Sequence, residues 1–258
     1  MRKIQDIKEL HMILLEISKS FHQICEQNNI PYYMLGGTML GAVRHKGFIP
    51  WDDDMDFGVP RSYFVKLKPI LQDLLPDYYC LKDWHDDSSL WGEILKIEDT
   101  RTVIYDNEDK ITIHGLFIDI FPLDFPTTDK MNSFSKNWWI KTFLSLDLIR
   151  RRKDNSMKTQ IVKGISSLFG NTIFRYFLRY IASRMSHGNY VANFSGAYGK
   201  KEIMPITIFG SPKLYQFEDI QLYGVEQAHE YLTHVYDDYM ILPSEDQRRI
   251  HITKAFLK

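Results

Sequence analysis

The run Trp51-Asp52-Asp53-Asp54-Met55-Asp56-Phe57 places four carboxylates in five positions and passes directly into Gly58-Val59. On an extended strand successive side chains alternate, so Asp54 and Asp56 point to one side. Two ionised carboxylates about 4 Å apart repel by roughly 4 kcal/mol at an effective dielectric of 20. A hard divalent cation is the usual compensation, because Mg²⁺ takes carboxylate oxygens and leaves positions for water and substrate phosphate. The bland alternative is a solvated acidic turn. Asp119 is the third candidate, set in the apolar stretch Leu116-Phe117-Ile118-Asp119-Ile120-Phe121. A charged carboxylate there is costly unless it is paired or coordinates a metal, and the bland alternative is a protonated Asp or one satisfied by a buried Arg. Three carboxylates from two neighbouring strands can hold Mg²⁺ or Mn²⁺ for in-line phosphoryl transfer.

Upstream, Leu35-Gly36-Gly37-Thr38 reads as a strand end, a glycine turn and a helix start, with Thr38 as the cap. Glycines let a backbone approach phosphate closely, and a helix N-terminus offers unpaired N–H groups to an anion. Arg44 and Lys46 follow this helix and are candidate contacts to a donor diphosphate, since phosphoryl transfer concentrates negative charge. A solvated basic cluster is the alternative for them, and His45 is left without a role. Trp51 could stack on a base or a cationic head group, or pack beneath the acidic loop. Lys96 is a weaker phosphate candidate.

The elements that would position these residues follow from periodicity. Ile4, Ile7, Leu10, Leu14, Ile17, Phe21 and Ile24 form one stripe of a long helix ending near Asn28-Asn29. Strands are expected at 32–35, 55–59, 78–82, 93–97, 102–105 and 116–121, and a helix after Pro60 strained at Pro69. The stretch 129–187 reads as helical, the remainder as mixed with several glycine turns, and a last helix spans 226–240.

Composition is that of a globular protein, with 44% hydrophobic and 25% charged residues and a net charge of −1. The balance hides an asymmetry. Eleven Lys or Arg against two Asp give +9 over 131–187, leaving −10 elsewhere. The basic run Arg150-Arg151-Arg152-Lys153 lacks an interleaved stacking motif, so nucleic acid is not an expected partner. No run of 18 apolar residues suggests a membrane span, and the N-terminus does not read as a signal peptide. Two scattered cysteines, Cys25 and Cys80, fit a reducing cytoplasm.

The block Gly36-Gly37-Thr38-Met39-Leu40-Gly41-Ala42-Val43-Arg44-His45-Lys46-Gly47-Phe48-Ile49-Pro50-Trp51-Asp52-Asp53-Asp54-Met55-Asp56 resembles the signature of the LicD family. That family includes bacterial phosphocholine transferases and fukutin-type ribitol-phosphate transferases. Phe117-Ile118-Asp119-Ile120-Phe121-Pro122-Leu123-Asp124 is similar to its second block. Tyr236-Asp237-Asp238-Tyr239-Met240-Ile241-Leu242-Pro243, with His251 beyond, is similar to its C-terminal block. Met55 and Phe57 stand where the family usually has Ile, and Asp237 where it has Gly.

The resemblance implies an α/β (α+β) fold, a nucleotidyltransferase-like mixed sheet flanked by helices. Residues 1–128 would form the catalytic core, 129–187 a basic helical insertion, and 188–258 a part completing the core. Asp54 and Asp56 would be the metal pair and Asp119 the third carboxylate. The implied reaction moves a phospho-alcohol from a CDP-activated donor, CDP-choline favoured, to a sugar hydroxyl of a teichoic acid or lipopolysaccharide type of glycan. Such acceptors are commonly lipid-linked, so 131–187 is expected to make peripheral contact with the inner face of the cell membrane. The rival readings are transfer of the nucleotide itself, and a non-catalytic assembly factor at the membrane.

Overall fold

The computed structural model describes residues 1–83, 93–105, 115–127, 188–248, 252 and 254–258, with isolated positions between 156 and 180. Strand β1 (Arg2–Lys3) leads into α1 (Ile7–Gln27), the helix of the N-terminal apolar stripe. Its start is set by Asp6, whose side chain accepts the Glu9 N–H at 2.9 Å. Leu14, Ile17 and Phe21 on that stripe are fully buried, each contributing about 1.5–3 kcal/mol.

Strand β2 (Tyr33–Met34), helix α2 (Gly36–Arg44) and strand β3 (Asp56–Pro60) follow, then α3 (Arg61–Leu74), which runs on through Pro69. Strands β4 (Tyr79–Lys82), β5 (Leu95–Asp99), β6 (Thr102–Tyr105) and β7 (Phe117–Leu123) complete the first half. A five-stranded sheet has the order β2-β3-β7-β5-β4. Only β3 and β7 run parallel within it; the other neighbours are antiparallel. Helices α1 and α3 pack on this sheet and on each other. Phe21 of α1 meets Phe57 of β3 with ring centroids 5.1 Å apart. The fold is thus a mixed sheet flanked by helices, as expected.

The second half holds β8 (Tyr190–Ala192), β9 (Ile203–Pro205), the short α4 (Ile206–Phe209), β10 (Lys213–Phe217), β11 (Ile220–Gly224), α5 (Ala228–Tyr236) and β12 (Lys254–Leu257). Strands β8–β9 and β10–β11 pair as antiparallel two-stranded sheets, and β12 lies between β1 and β6. Phe217, Leu232 and Ala255 join the same core as α1 and the central sheet.

Two local expectations are corrected. Helix α2 starts at Gly36, not after a Thr38 cap; its N-cap is Leu35, with no side-chain bond. The Thr38 hydroxyl instead accepts the Asp56 N–H at 2.8 Å, a long-range bond that no local pattern announces. The last helix is shorter than 226–240, ending at Tyr236, because Asp237 takes φ +61 and reverses the chain. The basic 131–187 segment, isolated positions aside, and His251 lie outside the described residues. Among those described, no helix is long and apolar enough to cross a membrane.

Candidate active site

The parallel register sets Asp56 of β3 opposite Asp119 of β7, and the antiparallel register sets Asp119 opposite Lys96 of β5. These three side chains form one row across the sheet. Alternation puts Phe57 toward α1, so Asp56 and its row face the other way. Lys96 Nζ donates to Asp119 Oδ1 at 2.6 Å and sits 3.4 Å from the Phe117 ring centroid. Asp119 is thus paired within the protein, by Lys96 and not by the buried Arg considered for it.

The row is electrostatically unbalanced. Burial pushes the Asp56 carboxyl well above its ordinary range, and Asp54, Asp119 and Asp52 push the same way while Lys96 opposes them. Burial also raises Asp119, against the charge and hydrogen bond of Lys96. Main-chain bonds hold both acids in place. Leu35 N–H donates to Asp56 O and Asp119 N–H to Met55 O, each at 2.9 Å. The glycine turn is fixed by Gly36, at φ +49, whose N–H donates to the buried Tyr231 hydroxyl at 2.9 Å. At Gly37 a Cβ would lie 2.5 Å from Asp52 Oδ2, so only glycine lets the acidic loop approach the start of α2.

A cleft of about 690 Å³ opens over this row. Its walls include Gly36, Gly37, Trp51, Asp52, Asp54, Asp56 and Asp119. Thus six of the residues anticipated from sequence, namely Asp54, Asp56, Asp119, Gly36, Gly37 and Trp51, meet around one space. The oxygens that all gather within 4.8 Å of one another belong to Asp52, Asp53 and Asp54. Asp53 is buried and its Oδ2 accepts the Ile252 N–H, which ties the C-terminal tail to the acidic loop.

The remaining candidates stand back from the cleft wall. Thr38 is buried and holds Asp56, and Lys96 holds Asp119. Arg44 donates to Tyr239 O at 2.6 Å and to His45 Nε2 at 2.9 Å, anchoring the C-terminal block to α2. Lys46 is exposed at φ +60, and its carbonyl accepts the Glu218 N–H. Trp51 lines the cleft, but the Arg248 guanidinium lies 4.3 Å from its ring centroid.

Sequence reasoning missed the opposite wall, where Asn193, Ser195, Gly196, Ala197, Tyr198 and Glu202 follow β8 and Tyr236 ends α5. The small polar run after β8 was a visible signal of a loop with close backbone approach, yet nothing in it points across 140 residues to Asp56. A second buried charge cluster lies beyond the other end of β3 and β7. Arg61 donates through Nε and Nη2 to the two oxygens of Asp124, and through Nη1 to Glu93 Oε2 at 2.6 Å.

Comparison with known proteins identifies relatives of the chain. Residues 29–151 match the family described as LicD/FKTN/FKRP, nucleotidyltransferase domain. The chain is 31% identical to the lipopolysaccharide cholinephosphotransferase LicD of Haemophilus influenzae, over 97% of this chain and 98% of that protein. A 46-residue stretch is 39% identical to the human ribitol 5-phosphate transferase FKRP, covering 18% of this chain and 9% of that one. An uncharacterized protein of Rickettsia prowazekii shares 45% over 58 residues, 22% of each chain. The mixed sheet, its facing acids and these relatives define an enzyme of the phosphotransferase class. The chain belongs to the LicD family.

Proposed function

We propose that this enzyme transfers a phospho-alcohol, phosphocholine in the favoured case, from a CDP-activated donor to a sugar hydroxyl of a cell-envelope glycan. The observation that carries the reading is the register of Asp56 against Asp119 in a cleft whose charged lining is carboxylate. The near-complete overlap with a lipopolysaccharide cholinephosphotransferase supports the choice of alcohol and acceptor; a teichoic acid type of acceptor remains within the same chemistry. The family model for a nucleotidyltransferase domain supports the corresponding fold.

The donor set fits a hard cation, being all carboxylate oxygen. Asp54, Asp56 and Asp119 would hold Mg²⁺ or Mn²⁺, which when bound would neutralise donor phosphate charge. In the transfer, the acceptor hydroxyl oxygen bonds to the phosphorus that carries the alcohol. The bond from that phosphorus to the CMP oxygen breaks, and CMP leaves with the electron pair. Asp119 takes the hydroxyl proton on a carboxylate oxygen. Lys96 favours the ionised form of that base. Gly36 and Gly37 let the donor approach the backbone at the start of α2.

The test is to incubate the protein with Mg²⁺ or Mn²⁺ and a panel of CDP-alcohols, measuring CMP release with and without a glycan acceptor. Acceptor-dependent CMP release from one CDP-alcohol is expected. Transfer of CMP itself onto the acceptor would replace this reading by the nucleotidyltransferase one. Absence of any turnover together with absence of divalent binding would favour an assembly factor. Peripheral membrane contact through 131–187 belongs to the same proposal, on the strength of its +9 charge. Liposome co-sedimentation should then need anionic lipid and fall when Arg150, Arg151 and Arg152 become Ser.

A further inference from the structure

The wall facing the acidic row is built differently from the row itself. Tyr198 and Tyr236 meet there with ring centroids 5.2 Å apart at 76°, their hydroxyls 2.8 Å from each other. Behind them Glu202 is buried, and its Oε1 accepts the Tyr198 N–H at 3.2 Å. Gly196 makes room for this carboxylate, since a Cβ there would lie 2.1 Å from Glu202 Oε1. The tyrosines reach the chemistry through Gly36. A Cβ built on it would lie 3.6 Å from Asp56 Oδ2, 3.6 Å from the Tyr236 hydroxyl and 4.0 Å from Tyr198 Cε2.

Two properties of this wall select a ligand. The charged residues among the described lining of the cleft are Asp52, Asp54, Asp56, Asp119 and Glu202, all acidic. Several of the wall's polar atoms are engaged within the protein: the two hydroxyls with each other, Glu202 with the Tyr198 N–H, and Asn193 Oδ1 with the Ser195 N–H. What such a wall offers is ring surface under negative potential. A polyol needs donors and acceptors for each hydroxyl. A quaternary ammonium makes no hydrogen bonds and is held by aromatic surface and diffuse negative charge. Of the other aromatic residues in the lining, Phe121 is buried and Trp51 already has the Arg248 cation at its ring. Tyr198 is 43% exposed at the mouth of the cleft and so is open to a ligand.

We propose that Tyr198 and Tyr236, backed by Glu202, form the head-group subsite and select a permanently cationic alcohol over a neutral polyol by charge and ring contact. This rests on the phospho-alcohol reading above and assigns its specificity. In a phosphorylated amino alcohol a two-carbon arm separates the nitrogen from the phosphate oxygen. With its phosphate beside Asp56, the ammonium falls against the tyrosine pair.

Titration calorimetry of the full chain in Mg²⁺, with phosphocholine and glycerol phosphate as the probes, tests this without requiring turnover. The wild type should bind phosphocholine about tenfold more tightly or better, the range of a desolvated cation–ring contact. Tyr198→Leu should abolish that preference by weakening phosphocholine alone, whereas Tyr198→Phe, which keeps the ring, should retain most of it. Equal binding of both probes by wild type, or no binding of phosphocholine at millimolar concentration, overturns the proposal. So does a Tyr198→Leu chain that weakens both probes equally or neither. A failed transferase reading shows itself separately, as absence of CMP release from every CDP-alcohol.

Discussion

Strands β3 and β7 run side by side and carry charge at both ends, and the two ends are compensated in opposite ways. At their start Asp56 faces Asp119, and Lys96 forms an ion pair with Asp119. Five residues on from each acid, Arg61 faces Asp124 and grips both of its oxygens while also holding Glu93. Asp124 is deeply buried, at 2% exposure, yet its planar partner answers it by geometry as well as charge. The Arg61 guanidinium is held firmly protonated by Asp124 and Glu93 in spite of burial. At one end a single guanidinium bonds both of its neighbouring carboxylates and draws them together. At the other end Asp56 and Asp119 line an open cleft beside Asp52 and Asp54, the arrangement on which the proposed cation site rests.

The comparison is broken most severely at the open end. Asp56→Asn keeps the shape and removes one charge, so the fold should survive. Divalent-dependent CMP release should fall by roughly three powers of ten, since phosphoryl transfer rests on positioning and charge neutralisation. Asp54→Asn should behave alike. Normal folding with near wild-type release would take either residue out of the site.

The closed end should respond in the other currency. Arg61→Met leaves Asp124 and Glu93 buried without their cation, at a cost of about 3–5 kcal/mol. Urea unfolding should show that loss, while turnover per folded molecule stays near the wild-type value. A large drop in turnover with stability intact would mean that this cluster is part of the chemistry.

What could be foreseen divides along the same line. Asp56 and Asp119 stood out because a charge on an apolar strand breaks a local pattern, Asp54 because it belongs to an acidic run, and α1 because its stripe repeats over 21 residues. The mixed sheet was implied by the family resemblance. Pairings were not legible. Lys96 reads as an ordinary residue of a strand until the register of β5 against β7 sets it opposite Asp119. Thr38 looks like a helix cap and is instead the acceptor for the Asp56 N–H. Tyr198 and Tyr236 reach the cleft only because α5 packs on α2, a contact between segments nearly 200 residues apart. Local periodicity says which residues are out of place; it does not say what they face.

Lys96 gives the smallest effect and the sharpest test of the contrast. If the open end is balanced by Lys96 and a divalent cation together, each should compensate for loss of the other. Lys96→Met removes the partner of Asp119, whose side chain is 17% exposed, and should destabilise the metal-free protein by about 1–3 kcal/mol. Saturating Mg²⁺ should then stabilise this variant more than the wild type, because the cation meets an acid that has lost its Lys96 partner. Asp119→Asn should do the reverse, gaining in metal-free stability as burial of one carboxylate charge is relieved and losing most of the Mg²⁺-induced shift. Thermal melts of the three proteins with and without Mg²⁺ read all of this. If the metal-induced shift is the same in wild type, Lys96→Met and Asp119→Asn, then Asp119 takes no part in metal binding, and the open end must be assigned to Asp54, Asp56 and the neighbouring Asp52 alone.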